Sequence, residues 1–163
     1  MPRRWIAMLL PWLVLVPLGL AGRATQAAPD SVFAVNSDAD VNDAVVSDGV
    51  CETGPGNGIC TLRAAIQEAS DSPNPDTITV PAGTYALERV GYDNSGVNGD
   101  LDVTGPVTIT GTGPDSTIID AGAISDRVFH ILEGSVTIAG VTIRNGAADN
   151  IMGGGGGILN MAR

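Results

Sequence analysis

The sequence predicts an all-β fold: a right-handed parallel β-helix with one short N-terminal capping helix. Three observations lead there. A phrase of a few alternating apolar residues closed by a turn recurs through the second half. Leu101-Asp102-Val103 returns as Phe129-His130-Ile131 and again as Ile158-Leu159-Asn160; Val107-Thr108-Ile109-Thr110-Gly111 returns as Val136-Thr137-Ile138-Ala139-Gly140; Thr117-Ile118-Ile119-Asp120 returns as Thr142-Ile143-Arg144-Asn145. The returns come at roughly 25–29 residues, the period of a stacked repeat, and no helical periodicity fills the gaps. Composition agrees: 22 Gly and 4% aromatics suit many turns around a narrow aliphatic column. Each strand then pairs in parallel with its equivalent one coil away. The inward half of the alternation is expected to be Leu101, Val103, Val107, Ile109, Ile118, Phe129, Ile131, Val136, Ile138, Val141 and Ile143, largely β-branched side chains that suit a stacked, pleated surface.

The chain divides into a signal peptide over 1–27, an N-terminal cap over 28–75 and β-helix coils over 76–163. Arg3 and Arg4 precede an apolar run from Trp5 to Leu20, and small residues follow through Ala24-Thr25-Gln26-Ala27-Ala28. That is the pattern of a secretory leader. Pro11 and Pro17 interrupt the run, which is short for a spanning helix. The expectation is export, to the medium or the cell surface, with nothing else to hold a membrane. Lysine is absent. Outside the leader five Arg face 18 acidic residues, a balance of −13 (5 − 18), which argues against nucleic acid as a partner.

In the cap, Val32-Phe33-Ala34-Val35 reads as a first strand. An acidic loop follows. Asp38, Asp40 and Asn42 alternate as the first half of a calcium loop does, but Asp43 stands where the glycine belongs and Gly49 where the bidentate Glu belongs. They are the candidate metal ligands, against a plain reading of Asx turns in a solvated loop. Cys51 and Cys60 are the only cysteines, and in an exported chain they are expected to form a disulfide. Thr61 to Ser70 is the one good helix: Thr61 is a natural N-cap, and Leu62, Ala65, Ile66 and Ala69 fall on one stripe, with Arg63, Gln67 and Glu68 facing elsewhere. So short a helix needs an apolar surface beneath it, and the exposed first coil supplies one.

Cys60-Thr61-Leu62-Arg63-Ala64-Ala65-Ile66-Gln67-Glu68-Ala69 resembles the Cys-Ser-Leu-Arg-Glu-Ala signature of secreted bacterial proteins known as the CSLREA domain. Asp48-Gly49-Val50-Cys51, Asp76 to Tyr85, Gly99 to Val103 and Arg127 to His130 resemble that family too. The resemblance implies a right-handed parallel β-helix of the pectin-lyase-like superfamily and an extracellular or surface role rather than one reaction. One departure stands out. Ala64 occupies the position of the family's Glu, so Thr61 caps without the reciprocal half of a capping box.

Among the coils, Asp76 to Val80 and Thr84-Tyr85 read as strands, and Glu88 to Gly99 as a loop bulging from a coil junction. Asp120 and Asn145 are expected at equivalent strand ends as turn residues. If Leu101 and Phe129 point inward, Asp102 and the sole histidine, His130, point outward and lie side by side on neighbouring strands, about 4.8 Å between backbones. That makes them a possible surface site in which the carboxylate favours the imidazolium. The glycines at 153–157 read as a tight coil corner, since no Lys completes a phosphate loop. Arg163 falls part-way through a coil, so further coils are expected beyond it.

For function, the leading expectation is a non-enzymatic module whose extended surface meets an extracellular glycan or surface ligand, with no catalytic residues and no cofactor, calcium excepted. The alternative is a polysaccharide lyase or glycoside hydrolase, but Asp102, Asp120, Asp126, Arg127 and Arg144 do not repeat into the paired carboxylates that such chemistry wants. Tyr85 and Tyr92 are the only tyrosines for sugar stacking. A third expectation is a non-functional fragment.

Overall fold

The structure is a computed structural model and describes residues 30–148 and 154–163. The leader, and Gly153 of the glycine run, lie outside the described residues. The chain is built of short strands and one helix: β1 (Val32–Ala34), α1 (Leu62–Ser70), β2 (Asp76–Val80), β3 (Gly83–Ala86), β4 (Leu101–Val103), β5 (Val107–Gly111), β6 (Thr117–Asp120), β7 (Phe129–Ile131), β8 (Val136–Ala139), β9 (Thr142–Arg144) and β10 (Ile158–Asn160). They form three sheets, in the orders β1-β2-β5-β8, β3-β6-β9 and β4-β7-β10, and every pairing is parallel. From β2 onward the chain visits the three sheets in one fixed order, three times over.

Register follows the repeat at two of the three faces. Leu101 stands beside Phe129 and Phe129 beside Ile158; Val107 stands beside Val136. The third face differs from expectation by one residue. Ile118 pairs with Thr142, Ile119 with Ile143 and Asp120 with Arg144, so Ile119, not Ile118, enters the column and is fully buried. Asp120 therefore matches Arg144 rather than Asn145. A slip of one residue exchanges the faces of a strand, and here the apolar Ile119–Ile143 stack decides it.

The column joins Phe33, Ile78, Val80, Tyr85, Leu101, Val103, Val107, Ile109, Ile119, Phe129 and Ile131. Val136, Ile138, Val141 and Ile143 pack against it but stay half-buried, because β8 and β9 each stand at the end of a sheet with a described neighbour on one side. At one corner Gly111 and Gly140 stack so closely that a Cβ on Gly140 (φ +65°) would lie 2.5 Å from the Gly111 carbonyl oxygen, an approach only glycine permits.

α1 closes the free edge of β4. The Asp100 and Asp102 carbonyls, turned away from β7, accept from Arg63 Nη1 (3.0 Å) and Ser70 Oγ (3.4 Å), so the edge is not left bare. A Cβ on Gly105 would meet the Ala69 carbonyl oxygen at 2.7 Å, which is why the helix end can settle there. Thr61 caps the helix, its Oγ1 accepting from Ala64 N at 3.1 Å and donating to the Val41 carbonyl at 2.6 Å. The apolar stripe is buried as expected, but Arg63, Gln67 and Glu68 are buried too. Their partners are the loops that cover the helix. Glu68 accepts from Ser47 N and Gly49 N, both at 2.8 Å, and Gln67 Oε1 accepts from Asp43 N at 2.8 Å. Cys51 and Cys60 form the disulfide, with Cα atoms 5.1 Å apart; it ties the start of α1 to this covering loop.

Candidate functional site

The chemistry-bearing side chains gather on the outer face of the β4-β7-β10 sheet. Asp102 and His130 sit in register on adjacent strands, between the inward Leu101–Phe129 and Val103–Ile131 pairs, so alternation turns them away from the column. They are not on the surface. Asp102 is 4% exposed and His130 1%. The expected exterior pair is corrected to a buried one, because the 88–99 loop folds over it: Gly96 N donates to Asp102 Oδ2 at 2.8 Å. On the other flank His130 Nε2 meets Met161 Sδ at 3.2 Å, just after β10. Nδ1 of the same ring lies 3.1 Å from Asp102 Oδ1.

Around this pair runs a larger buried charge cluster. Asp100, 2% exposed, lies beside Arg127, whose Nη1 is 3.6 Å from Asp100 Oδ2. Arg127 Nε is 4.0 Å from Asp126 Oδ1, and the Arg127 N–H donates to that oxygen at 2.8 Å. Arg63 reaches in from α1. Its Nε and Nη2 bind the two Asp40 oxygens at 2.5 and 3.2 Å, and its remaining donors hold the carbonyls of Gly96, Gly99 and Asp100 at 2.8–3.0 Å. Two buried carboxylate oxygens, Asp100 Oδ2 and Asp102 Oδ1, have no hydrogen bond.

Burial is the first cause that pushes both carboxyls up to about 7. For Asp100 the negative charges of Asp102 and Asp126 add to it, while Arg127 and Arg63 oppose it. For Asp102 the Gly96 hydrogen bond and Arg63 oppose it, while Asp93 and Asp126 add. Asp93, in the covering loop, goes the other way. Burial raises it, but the Ser95 hydroxyl and the N–H groups of Ser95, Val97 and Asn98 outweigh that and hold it below its ordinary value.

The remaining sequence candidates are dispersed. Asp40 is taken by Arg63 and also accepts from Glu88 N (2.7 Å) and Arg89 N (3.0 Å). The Asn42 amide meets Gln67 Nε2 at 3.2 Å, and Asp38 is exposed. Asp40 and Asn42 thus pin the covering loops to α1. Asp120 bonds Arg144 Nε at 2.7 Å and Asn145 Nδ2 at 2.9 Å on the outer rim of the third sheet. Among the described residues, the one group of three ligand-type side chains brought together is Asp100, Asp102 and His130, with ligand atoms all within 4.8 Å of one another. Asp100 and Arg63 were missed as site residues. The available signal was the matched register of Asp100-Leu101-Asp102-Val103 with Val128-Phe129-His130-Ile131, which sets acids beside the imidazole and Arg127 beside both. Beside Asp102 a cavity of about 130 Å³ opens between α1 and the covering loop, walled by Gln67, Ser70, Asn94, Ser95 and Thr104.

Comparison with protein-family models, curated proteins and solved structures returns no match.

Proposed function

We infer that the chain is an exported right-handed parallel β-helix of the CSLREA type, and that it works as a binding module rather than as an enzyme. The observation that carries this reading is the outer face of the β1-β2-β5-β8 sheet. Thr77, Thr108 and Thr137 stand in one row there and Thr79 and Thr110 in a second, the latter exposed. Such rows repeat hydroxyl groups at about 4.8 Å on a flat face, a pattern suited to the repeated hydroxyls of an extracellular polysaccharide. The groups able to do acid–base work lie elsewhere, beneath the cap, where a polymer has no approach. The disulfide fits an oxidising compartment, and no helix among the described residues is long and apolar enough to cross a membrane.

A glycan array probed with the full chain, read beside a depolymerisation assay on the same polymers, tests the reading. Binding that is lost in Thr79→Lys/Thr110→Lys, with the fold retained by circular dichroism, is the expected result. Release of new reducing ends or unsaturated products from any bound polymer would replace it with the polysaccharide-lyase or hydrolase reading.

A further inference from the structure

The buried cluster on β4 and β7 holds more carboxyl groups than guanidinium groups. Asp40, Asp100, Asp102 and Asp126 are buried or nearly so, and the guanidiniums of Arg63 and Arg127 lie among them. With all four ionised the carboxylates outnumber those guanidiniums by two, in a place where an uncompensated charge is costly. Two of the carboxylate oxygens, Asp100 Oδ2 and Asp102 Oδ1, are buried without a hydrogen bond and belong to the same compact group as His130.

His130 adds a second constraint. A thioether only accepts, so the contact between Nε2 and Met161 Sδ places a proton on Nε2. The Nδ1 lone pair of a neutral ring is then directed at Asp102 Oδ1, 3.1 Å away. Two acceptors so close need a cation between them, either a proton or a metal ion.

We propose that Asp100, Asp102 and His130 form a site for a divalent transition-metal ion of the zinc class, which fastens β4 to β7 beneath the cap. The donor set is two carboxylate oxygens and one imidazole nitrogen. Imidazole favours zinc and its neighbours over calcium or magnesium, which take oxygen ligands. Zinc bonds of 2.0–2.2 Å put tetrahedral ligand atoms about 3.3 Å apart. The Nδ1–Oδ1 spacing of 3.1 Å is close to that, and the other ligand pairs lie within 4.8 Å. The second ring nitrogen, Nε2, is set against Met161 Sδ, a weak acceptor in the place of the outer hydrogen bond that orients a metal-bound histidine. Two positive charges match the surplus of two carboxylates once all four are ionised. A cavity of about 130 Å³ adjoins Asp102. Ligands bind a metal in their deprotonated form, so binding releases protons.

Because His130 is the only histidine, its imidazole reports on this site alone. The purified full chain is stripped with chelator and titrated with zinc chloride near pH 7.5, by calorimetry and by ¹⁵N–¹H NMR of the ring. The expected result is one tight equivalent, proton release that scales with buffer ionisation enthalpy, a shift of the Nδ1 resonance, and a rise in Tm. Asp100→Asn and His130→Gln should each weaken binding at least tenfold. No tight equivalent overturns the proposal. So does a tight equivalent that leaves the ring resonances unmoved, which would place the metal on the acidic surface. The wild-type NMR decides even where a variant fails to fold.

Discussion

Two outer faces of one molecule are built on the same alternation and end in opposite environments. On β2, β5 and β8 the outward residues are Thr77, Thr79, Thr108, Thr110 and Thr137, half-buried or exposed. On β4 and β7 they are Asp102 and His130, which are as buried as the apolar residues between them. The difference is the cover. Nothing described lies over the threonine face, whereas the 88–99 loop and the residues after β10 close over the charged one and α1 flanks its edge. Strand period says which way a side chain points; what it meets there is decided by segments with no period at all.

Arg63 is where that cover is fastened, and removing it should have the largest effect. Arg63→Ala leaves the Asp40 carboxylate without its guanidinium and takes a donor from the Gly96, Gly99 and Asp100 carbonyls, of which Gly96 keeps Gln67 Nε2. Breaking a buried pair in this way costs about 3–5 kcal/mol. Urea unfolding, followed by circular dichroism, checks it. Arg63→Lys should recover only a part, since an ammonium cannot serve Asp40 and the carbonyls together. A loss below about 1 kcal/mol, the value of an exposed pair, would mean that the loop closes without it and that the two faces differ less than their burial indicates.

Next comes the column both faces share. Ile119 is fully buried and Ile118 only half. Ile119→Ala should cost about 2–5 kcal/mol, as large-to-small changes in a core do, and Ile118→Ala under about 1 kcal/mol. The opposite ranking would restore the register first expected from the repeat. That expectation failed for an identifiable reason. Like residues bracket both segments, Thr117 with Thr142 and Asp120 with Asn145, yet stacking of Ile119 on Ile143 sets the alignment. The turns before β6 and β9 differ in length, so turn residues are a poor ruler there. At the other two faces the strands themselves carry the pattern, and there the pairing of Asp102 with His130, the helix cap at Thr61 and the Cys51–Cys60 bond were all legible. The burial of Asp102, His130, Arg63, Gln67 and Glu68 was not, because it depends on loops whose path no local pattern encodes.

The contrast also carries a pH dependence. Asp100 and Asp102 keep their protons up to about 7 in the folded chain and only to about 4 when unfolded. Between those values the folded state binds more protons, so stability falls as pH rises from about 4 to about 7. Glu68, raised by burial ahead of all else, adds to the fall. Asp93 is lowered in the fold and works oppositely: its contribution is present above about 4 and lost as pH falls through its folded value. In chelated buffer Tm should therefore be highest near pH 4–5 and drop toward pH 7 by more than the ~2–4 °C that 1 kcal/mol represents at this size. Asp102→Asn removes one of the two groups and the charge that raises the other, so it should flatten the slope. An unchanged slope would place the titrating groups outside the covered face.

The smallest effect belongs to the pair that resembles the buried cluster in chemistry and differs from it only in exposure. Arg144 Nε bonds Asp120 Oδ2 at 2.7 Å between adjacent strands, a closer contact than Arg127 makes with Asp100, yet the Arg144 side chain is 46% exposed. Water already solvates both partners, and the ordered arginine gives up side-chain freedom to make the bond. The Asp120 carboxyl is held below its ordinary value first by Asn145 Nδ2 and the Gly122 N–H, with Arg144 contributing less. Arg144→Ala should then change stability by no more than about 0.5 kcal/mol, and that remainder should fade as salt is raised. A salt-insensitive loss comparable to that of Arg63→Ala would show that further chain covers this rim as the cap covers the other.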